Sequence, residues 1–212
     1  MAWKAPLWLI CAYLLGSIPF GYLVSRLVFK SDIRRLGSGN IGATNVLRNF
    51  GVRPFIAVTL LDMGKGVAAV AVGRALGLGP GLSLLAGLLS IVGHNWSLYL
   101  GFKGGKGIAT SGGVIIAAYP WQVTAAVLGT FLFMVVVSRI MSVGSISAAV
   151  AFPVAAAVLL RGDLSMYWPH LAVSCLASIF AVYRHRENIG RLLSGKEPRI
   201  SLPSRKTREA GT

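Results

Sequence analysis

The sequence predicts an all-α integral membrane protein. Three observations carry that prediction. Long apolar stretches recur along the whole chain, only 13% of residues are charged, and the basic residues collect between alternate apolar stretches. Hydrophobic residues fill 55% of the 212 positions and mean hydropathy is +0.70, whereas a soluble domain carries about twice this share of charge. No separate soluble domain is visible. Residues 1–196 read as one transmembrane domain and 197–212 as a polar, basic C-terminal tail.

The apolar segments cover roughly residues 6–29, 54–76, 81–101, 108–119, 121–138, 144–161 and 166–183. Most approach the ~20 helical residues that a bilayer requires. The fourth is short, ends at Tyr119-Pro120, and suits a half-helix or a re-entrant element. Joined to the fifth, it would leave six spans. The distribution of Lys and Arg decides between the two. Lys30, Arg34, Arg35, Arg48 and Arg53 follow the first segment, Lys103 and Lys106 the third, and Arg139 the fifth. Arg184, Arg186, Arg191, Lys196, Arg199, Arg205, Lys206 and Arg208 follow the seventh. The other side holds Lys4, Arg74 and Arg161. Positively charged loops stay in the cytoplasm, so the N-terminus is expected outside and the C-terminus cytoplasmic. That requires an odd number of spans and favours seven transmembrane helices, one of them short. The opening stretch has one early Lys and no small-x-small cleavage site, so it reads as a retained first helix.

A net charge of +15 would suggest nucleic acid in a soluble protein. Here the charge lies in loops and the tail, and no nucleic-acid-binding module is recognisable. The tail, with Pro198 and Pro203, is expected to be mobile and to contact anionic membrane lipids. Cys11 and Cys175 fall in apolar segments and read as free core thiols.

Four polar runs share the predicted cytoplasmic side. They are "GSGNIGATNVLR" (Gly37 to Arg48), "GFKGGKGIATSGG" (Gly101 to Gly113), "SRIMSVGS" (Ser138 to Ser145) and "YRHRENIGR" (Tyr183 to Arg191). In the first, Gly37, Gly39 and Gly42 permit positive φ and close approach of a ligand, and successive amides can form an anion-binding nest. Ser38, Asn40, Thr44 and Asn45 add hydroxyl and amide hydrogen bonds, and Arg48 adds a guanidinium fork suited to phosphate. In the second, Lys103 and Lys106 bring charge. Gly104, Gly105 and Gly107 expose amides where the fourth segment begins, and a helix N-terminus favours an anion. The run is not a P-loop, because Lys106 is followed by Gly107 and Gly101 stands one position too close.

In the fourth run His185 and Asn188 are three apart and share a helical face, ringed by Arg184, Arg186 and Arg191. His185 could relay a proton or donate to a phosphate oxygen. Within the spans, Asp62 and Lys65 stand three apart, an ionisable pair expected to neutralise itself at depth. His94 has Tyr99, not Asp, five residues on, so a soluble-type H-x-x-x-x-D acyltransferase site is not indicated. The three histidines lie far apart and the six acidic residues do not cluster, so no metal or cofactor is implied. The polar runs are rich in anion-holding groups and poor in carboxylate bases.

"GSGNIGATNVLR", "GHNWSLYLGFKGGKGIATSGG" and "RHRENIGRLL" resemble, in order and at fitting distances, the three signature motifs of the bacterial membrane acyl-phosphate:glycerol-3-phosphate acyltransferases. "LLDMGKG" around Asp62 and Lys65 is similar to that family's second helix. The resemblance implies a seven-helix fold in the bacterial plasma membrane and a cytoplasm-facing active site. It implies transfer of a fatty acyl group from acyl phosphate to the 1-hydroxyl of glycerol 3-phosphate, giving lysophosphatidic acid and phosphate at the start of phospholipid synthesis. Carried onto matching positions, Ser38 and Arg48 serve in the first motif, and the glycines and Lys106 of the second help bind glycerol 3-phosphate. His185 and Asn188 line the site. Ser142 or Ser145 contributes a hydroxyl, the serine spacing leaving the choice open. Ile41 stands where the family's pattern leads one to expect proline.

The residues fit that implication. Two phosphate-bearing substrates must lie side by side, so cations and amides must offset their repulsion. One arrangement has Ser38, loop amides and Lys106 cradle one phosphate while Arg48, His185 and Asn188 orient the other. A substrate phosphate oxygen then accepts the hydroxyl proton, since no carboxylate is expected nearby. The rival reading is a transporter for an organic phosphate anion. Transporter sites, however, usually lie near the midplane between repeated halves, and no repeat is visible here.

Overall fold

The computed structural model describes residues 3–160 and 164–200. Arg161 and positions 201–212, with Pro203, Arg205, Lys206 and Arg208, lie outside the described residues. Among those described, helices form every apolar segment and no strand occurs. The order is α1 (Lys4–Ser17), α2 (Phe20–Val28), α3 (Ala43–Phe50), α4 (Val52–Ala75), α5 (Gly79–Asn95), α6 (Ile108–Ala118), α7 (Trp121–Ser138), α8 (Met141–Leu159), α9 (Leu164–Arg184) and α10 (Arg186–Leu193).

The first apolar segment is two helices bent by 44°. The cause is Pro19, which has no N–H to donate and pushes Ile18 out of the helical region; Ile18 has ψ 117°. Four helices among the described residues are long and apolar enough to cross a membrane: α4, α5 continued to Leu100, α7 and α8. The bent α1–α2 pair makes a fifth if it counts as one span. The protein is thus a multi-pass membrane protein. α6 and α7 are separate helices. Tyr119 is extended and Pro120 caps α7, so the short segment is 11 residues long and stands alone.

α5 packs against α1, α4, α6 and α9, while α7 lies on α8 and α8 on α9. The main core joins Val70, Leu84, Leu88, Ile91, Val114, Val123 and Phe152. The seam between α4 and α6 is held by small residues: a Cβ on Gly66 would strike the Thr110 carbonyl, and one on Gly113 the Met63 carbonyl. Such close backbone approach is how helices pack where lipid offers no hydrophobic drive between them. It fixes the short α6, and the glycine loop before it, against the ionisable stretch of α4.

Both cysteines are free, but Cys175 is exposed and Cys11 only partly buried. Neither is a core thiol. In lipid the outward face of a helix is as apolar as its core, so residue type alone does not separate the two.

Candidate active site

One cavity of about 300 Å³ collects residues from all four polar runs. Its polar end is lined by Ser38, Asn40, Gly42, Thr44, Asn45 and Arg48 from the first run, and Lys106 and Gly107 from the second. Ser142 and Ser145 come from α8, and His185 and Asn188 from the start of α10. A second, shallower depression meets it at Ser38, Asn40 and Lys106, and adds Gly39, Lys103, Gly104, Arg34, Arg184 and Arg191. Of the predicted site residues, Gly37 and Gly105 line neither space. Gly37, at φ 54°, packs on the Asn45 and Asn49 side chains, and Gly105 packs on the His94 ring.

The first loop is folded around one side chain. The Asn45 amide reaches the carbonyls of Ile33 (3.3 Å), Leu36 (3.0 Å) and Asn40 (2.9 Å), while its Oδ1 accepts from the Ser38 amide at 3.1 Å. Asn40 Oδ1 accepts from the Gly42 amide at 2.8 Å. Beneath, Ile33, Ile41, Val46 and Val58 form a small core. These contacts hold Ser38 at the cavity wall. Arg48, on α3, is exposed at the cavity and forms no ion pair among the described residues.

A linked set of side chains closes the site from the other direction. Lys106 Nζ donates to Asn188 Oδ1. Asn188 Nδ2 donates to Glu197 Oε1 at 2.6 Å, Ser142 Oγ donates to the same oxygen at 2.8 Å, and Arg191 Nε donates to Glu197 Oε2 at 2.7 Å. Of the two candidate serines, Ser142 therefore reaches the network. Ser145 donates to Met141 O within its own helix.

Glu197 corrects the expectation of a site without carboxylates and, over residues 197–200, of a mobile tail. It is 7% exposed, and the Ile200 amide beyond it bonds Arg139 O at 2.7 Å. Its composition-poor surroundings hid it: a lone acidic residue among prolines and basic residues reads as solvated.

The electrostatics follow from burial among cations. Burial, then the nearby Arg191 and Arg48, outweigh Glu197 and Glu187 and bring Lys106 down to about 8. Burial and the neighbouring Lys106 push His185 down to about 4, so it is neutral at physiological pH. His185 Nδ1 lies 2.7 Å from Ala181 O. A carbonyl only accepts, so Nδ1 carries the proton and Nε2 is left as an acceptor. Burial would raise the Glu197 carboxyl, but hydrogen bonds from Asn188, Ser142 and Arg191 outweigh it and hold the group below the ordinary range. It stays an anion, with its oxygens engaged.

The second loop is anchored by a residue that the sequence reading left in the background. Arg184 donates through Nε to Gly105 O (2.9 Å) and through Nη2 to Gly104 O (2.7 Å). From the other side the Gly105 amide donates to His94 O at 2.9 Å. Within the bilayer segments Lys65 and Asp62 pair at 2.9 Å, as their spacing predicts, and His94 joins them. No group of three His, Cys, Asp or Glu side chains able to hold a metal occurs among the described residues.

Away from its polar end the cavity becomes apolar, bounded by Ile115, Ile116, Val127, Leu128, Phe131 and Phe152. The cavity thus joins a cationic, hydrogen-bonding wall to an apolar one. The family model described as glycerol-3-phosphate acyltransferase matches residues 6–195. The chain belongs to the glycerol-3-phosphate acyltransferase family. The enzyme is 47% identical to the glycerol-3-phosphate acyltransferase of Synechococcus sp. (strain CC9902), over 91% of this chain and 93% of that one. It is 45% identical to that of Prochlorococcus marinus (strain NATL2A), over 92% and 98%. Two crystal structures of PlsY (YgiH), described as an integral membrane glycerol 3-phosphate acyltransferase, share its fold. The glycerol 3-phosphate form superposes with a TM-score of 0.84 and the lysophosphatidic acid form with 0.82. Each is 36% identical and covers 93% of this chain and 96% of its own. These matches favour an acyltransferase over an organic-phosphate transporter.

Proposed function

We propose that the enzyme moves a fatty acyl group from acyl phosphate to the 1-hydroxyl of sn-glycerol 3-phosphate, giving lysophosphatidic acid and inorganic phosphate. The observation that carries this reading is one cavity lined both by cationic, hydrogen-bonding residues and by apolar ones. Both substrates carry phosphate and one also carries a hydrocarbon chain, so their chemistry matches both linings.

In this scheme Arg48, Lys106, Ser38 and the loop amides hold the two phosphates against their mutual repulsion. Asn188 and Ser142, oriented by Glu197, complete the polar wall. The glycerol hydroxyl oxygen attacks the acyl carbonyl carbon, the bond from that carbon to the phosphate oxygen breaks, and phosphate leaves. The hydroxyl proton needs an acceptor. Glu197 is engaged on both oxygens and His185 is a weak base. A substrate phosphate oxygen, with a second pKa of about 6, is the better base and takes the proton.

The enzyme crosses the bacterial plasma membrane seven times, counting the α1–α2 pair and α4 to α9, with the N-terminus outside and the site in the cytoplasm. This topology rests on the Lys and Arg distribution. Phosphate release from palmitoyl phosphate, dependent on glycerol 3-phosphate, tests the activity in purified, detergent-solubilised enzyme. Arg48→Ala and Lys106→Ala should each lower turnover by about 100-fold or more. Near-normal rates in both would overturn the charge clamp.

A further inference from the structure

Three buried ionisable side chains lie directly beneath the second glycine loop and have no part in the scheme above. Lys65 Nζ stands 2.9 Å from Asp62 Oδ1, 3.0 Å from Ile18 O and 2.8 Å from His94 Nδ1. An ammonium has three protons and no lone pair, so Ile18 O and His94 Nδ1 each accept one, while Asp62 Oδ1 is its ionic neighbour with no hydrogen bond of its own. His94 Nδ1 is therefore an acceptor, and the neutral ring carries its proton on Nε2. Asp62 Oδ1, at 3.4 Å from the same Nδ1, is too distant to compete with the lysine.

The Nε2 edge of the ring faces the loop. A Cβ on Gly105 would overlap Nε2, Cδ2 and Cε1, so only glycine lets the loop backbone come this close to the ring edge. His94 is 5% exposed, and it and Asp62 line the main cavity together with Lys106. Among the described residues nothing accepts a hydrogen bond from Nε2. The break at Pro19 supplies the Ile18 carbonyl that takes a second lysine proton, so the kink in the first segment belongs to the same arrangement.

We infer that His94 is a further substrate-binding residue: its Nε2–H, presented across Gly105, donates to the substrate phosphate held by the Lys106 loop, and Lys65 and Asp62 are positioning residues that fix its tautomer. A neutral donor suits this place, since the ring is already beside an ammonium and a second full charge would be costly there. The inference rests on the reading that the second loop holds a substrate phosphate.

The test uses purified full-length enzyme and KM for each of the two substrates. Asn at position 94 places its amide near Nδ1 and keeps an acceptor for Lys65, but has no donor at Nε2. Gln reaches the Nε2 position with an N–H. His94→Asn should raise by about tenfold the KM of the same substrate whose KM Lys106→Ala raises, with kcat changed by less than about threefold. His94→Gln should restore that KM to within about threefold of the unmodified enzyme. Thermal unfolding of both variants in detergent separates loss of fold from loss of binding. An unchanged KM in His94→Asn, or equal impairment of the Asn and Gln variants, overturns the donor role while the loop reading stands. Lys106→Ala leaving both KM values unchanged overturns the loop reading, and the inference with it.

Discussion

The two glycine-rich loops have similar composition and are built by opposite means. The first holds itself together: Asn45, seven residues after Ser38, gathers the loop's own carbonyls and amides. The second has no such residue. Arg184 grips its carbonyls from α9, His94 O takes its amide from α5, and Lys106 is tied to Asn188 on α10. A self-built loop needs only its own sequence to be correct. A loop held from outside reports on the packing of distant helices and can be adjusted by them.

That contrast can be broken at either loop, and the effects should differ in kind. Asn45→Ala should be the most damaging. It removes a buried side chain that serves three carbonyls, at about 1 kcal/mol net for each. The unfolding free energy in detergent should fall by about 3 kcal/mol, and activity with it. Arg184→Lys should leave the fold intact, because charge is kept. A single ammonium cannot match the planar fork across two consecutive carbonyls, so KM for glycerol 3-phosphate should rise by about tenfold, read from initial rates. A KM unchanged in Arg184→Lys would remove the external anchor and make the loops alike.

The gentlest probe is pH. Lys106 is brought to about 8 in the empty site, and its ammonium is what an anion needs. It is charged below that pH and lost above it. kcat/KM, which reports the free enzyme and free substrate, should therefore rise as the substrate phosphate ionises through about pH 6, peak at about pH 7 and fall about tenfold for each unit well above 8. His185, pushed to about 4, adds no limb in that range. Lys106→Arg, where it retains activity, should move the falling limb beyond pH 10.

Much of this was legible in the sequence, for identifiable reasons. The lipid environment demands long apolar helices, so the spans are written in composition. Glycine, asparagine and arginine in one short run mark a polar loop, and that loop does line the cavity. Asp62 and Lys65 are one helical turn apart, so their pairing follows from spacing alone. The failures share a cause as well. Glu197 joins Asn188 and Ser142 across 55 residues, and Arg184 reaches Gly105 across 79. Neither contact has a local pattern. His94 meets Lys65 only because α4 and α5 pack side by side. Exposure of Cys175 was hidden for the reason that lipid and core reward the same side chains.

Glu197 has one more consequence, and it concerns time. It lies beyond the ten α-helices of the described residues, yet it gathers Ser142, Arg191 and Asn188, the last of which binds Lys106. During synthesis the helices can enter the membrane one after another, but the polar wall of the cavity has no keystone until Glu197 has been made. A chain made only as far as α10 therefore lacks the carboxylate that joins α8 to α10, and the polar wall closes only once the segment after α10 has folded back onto those two helices.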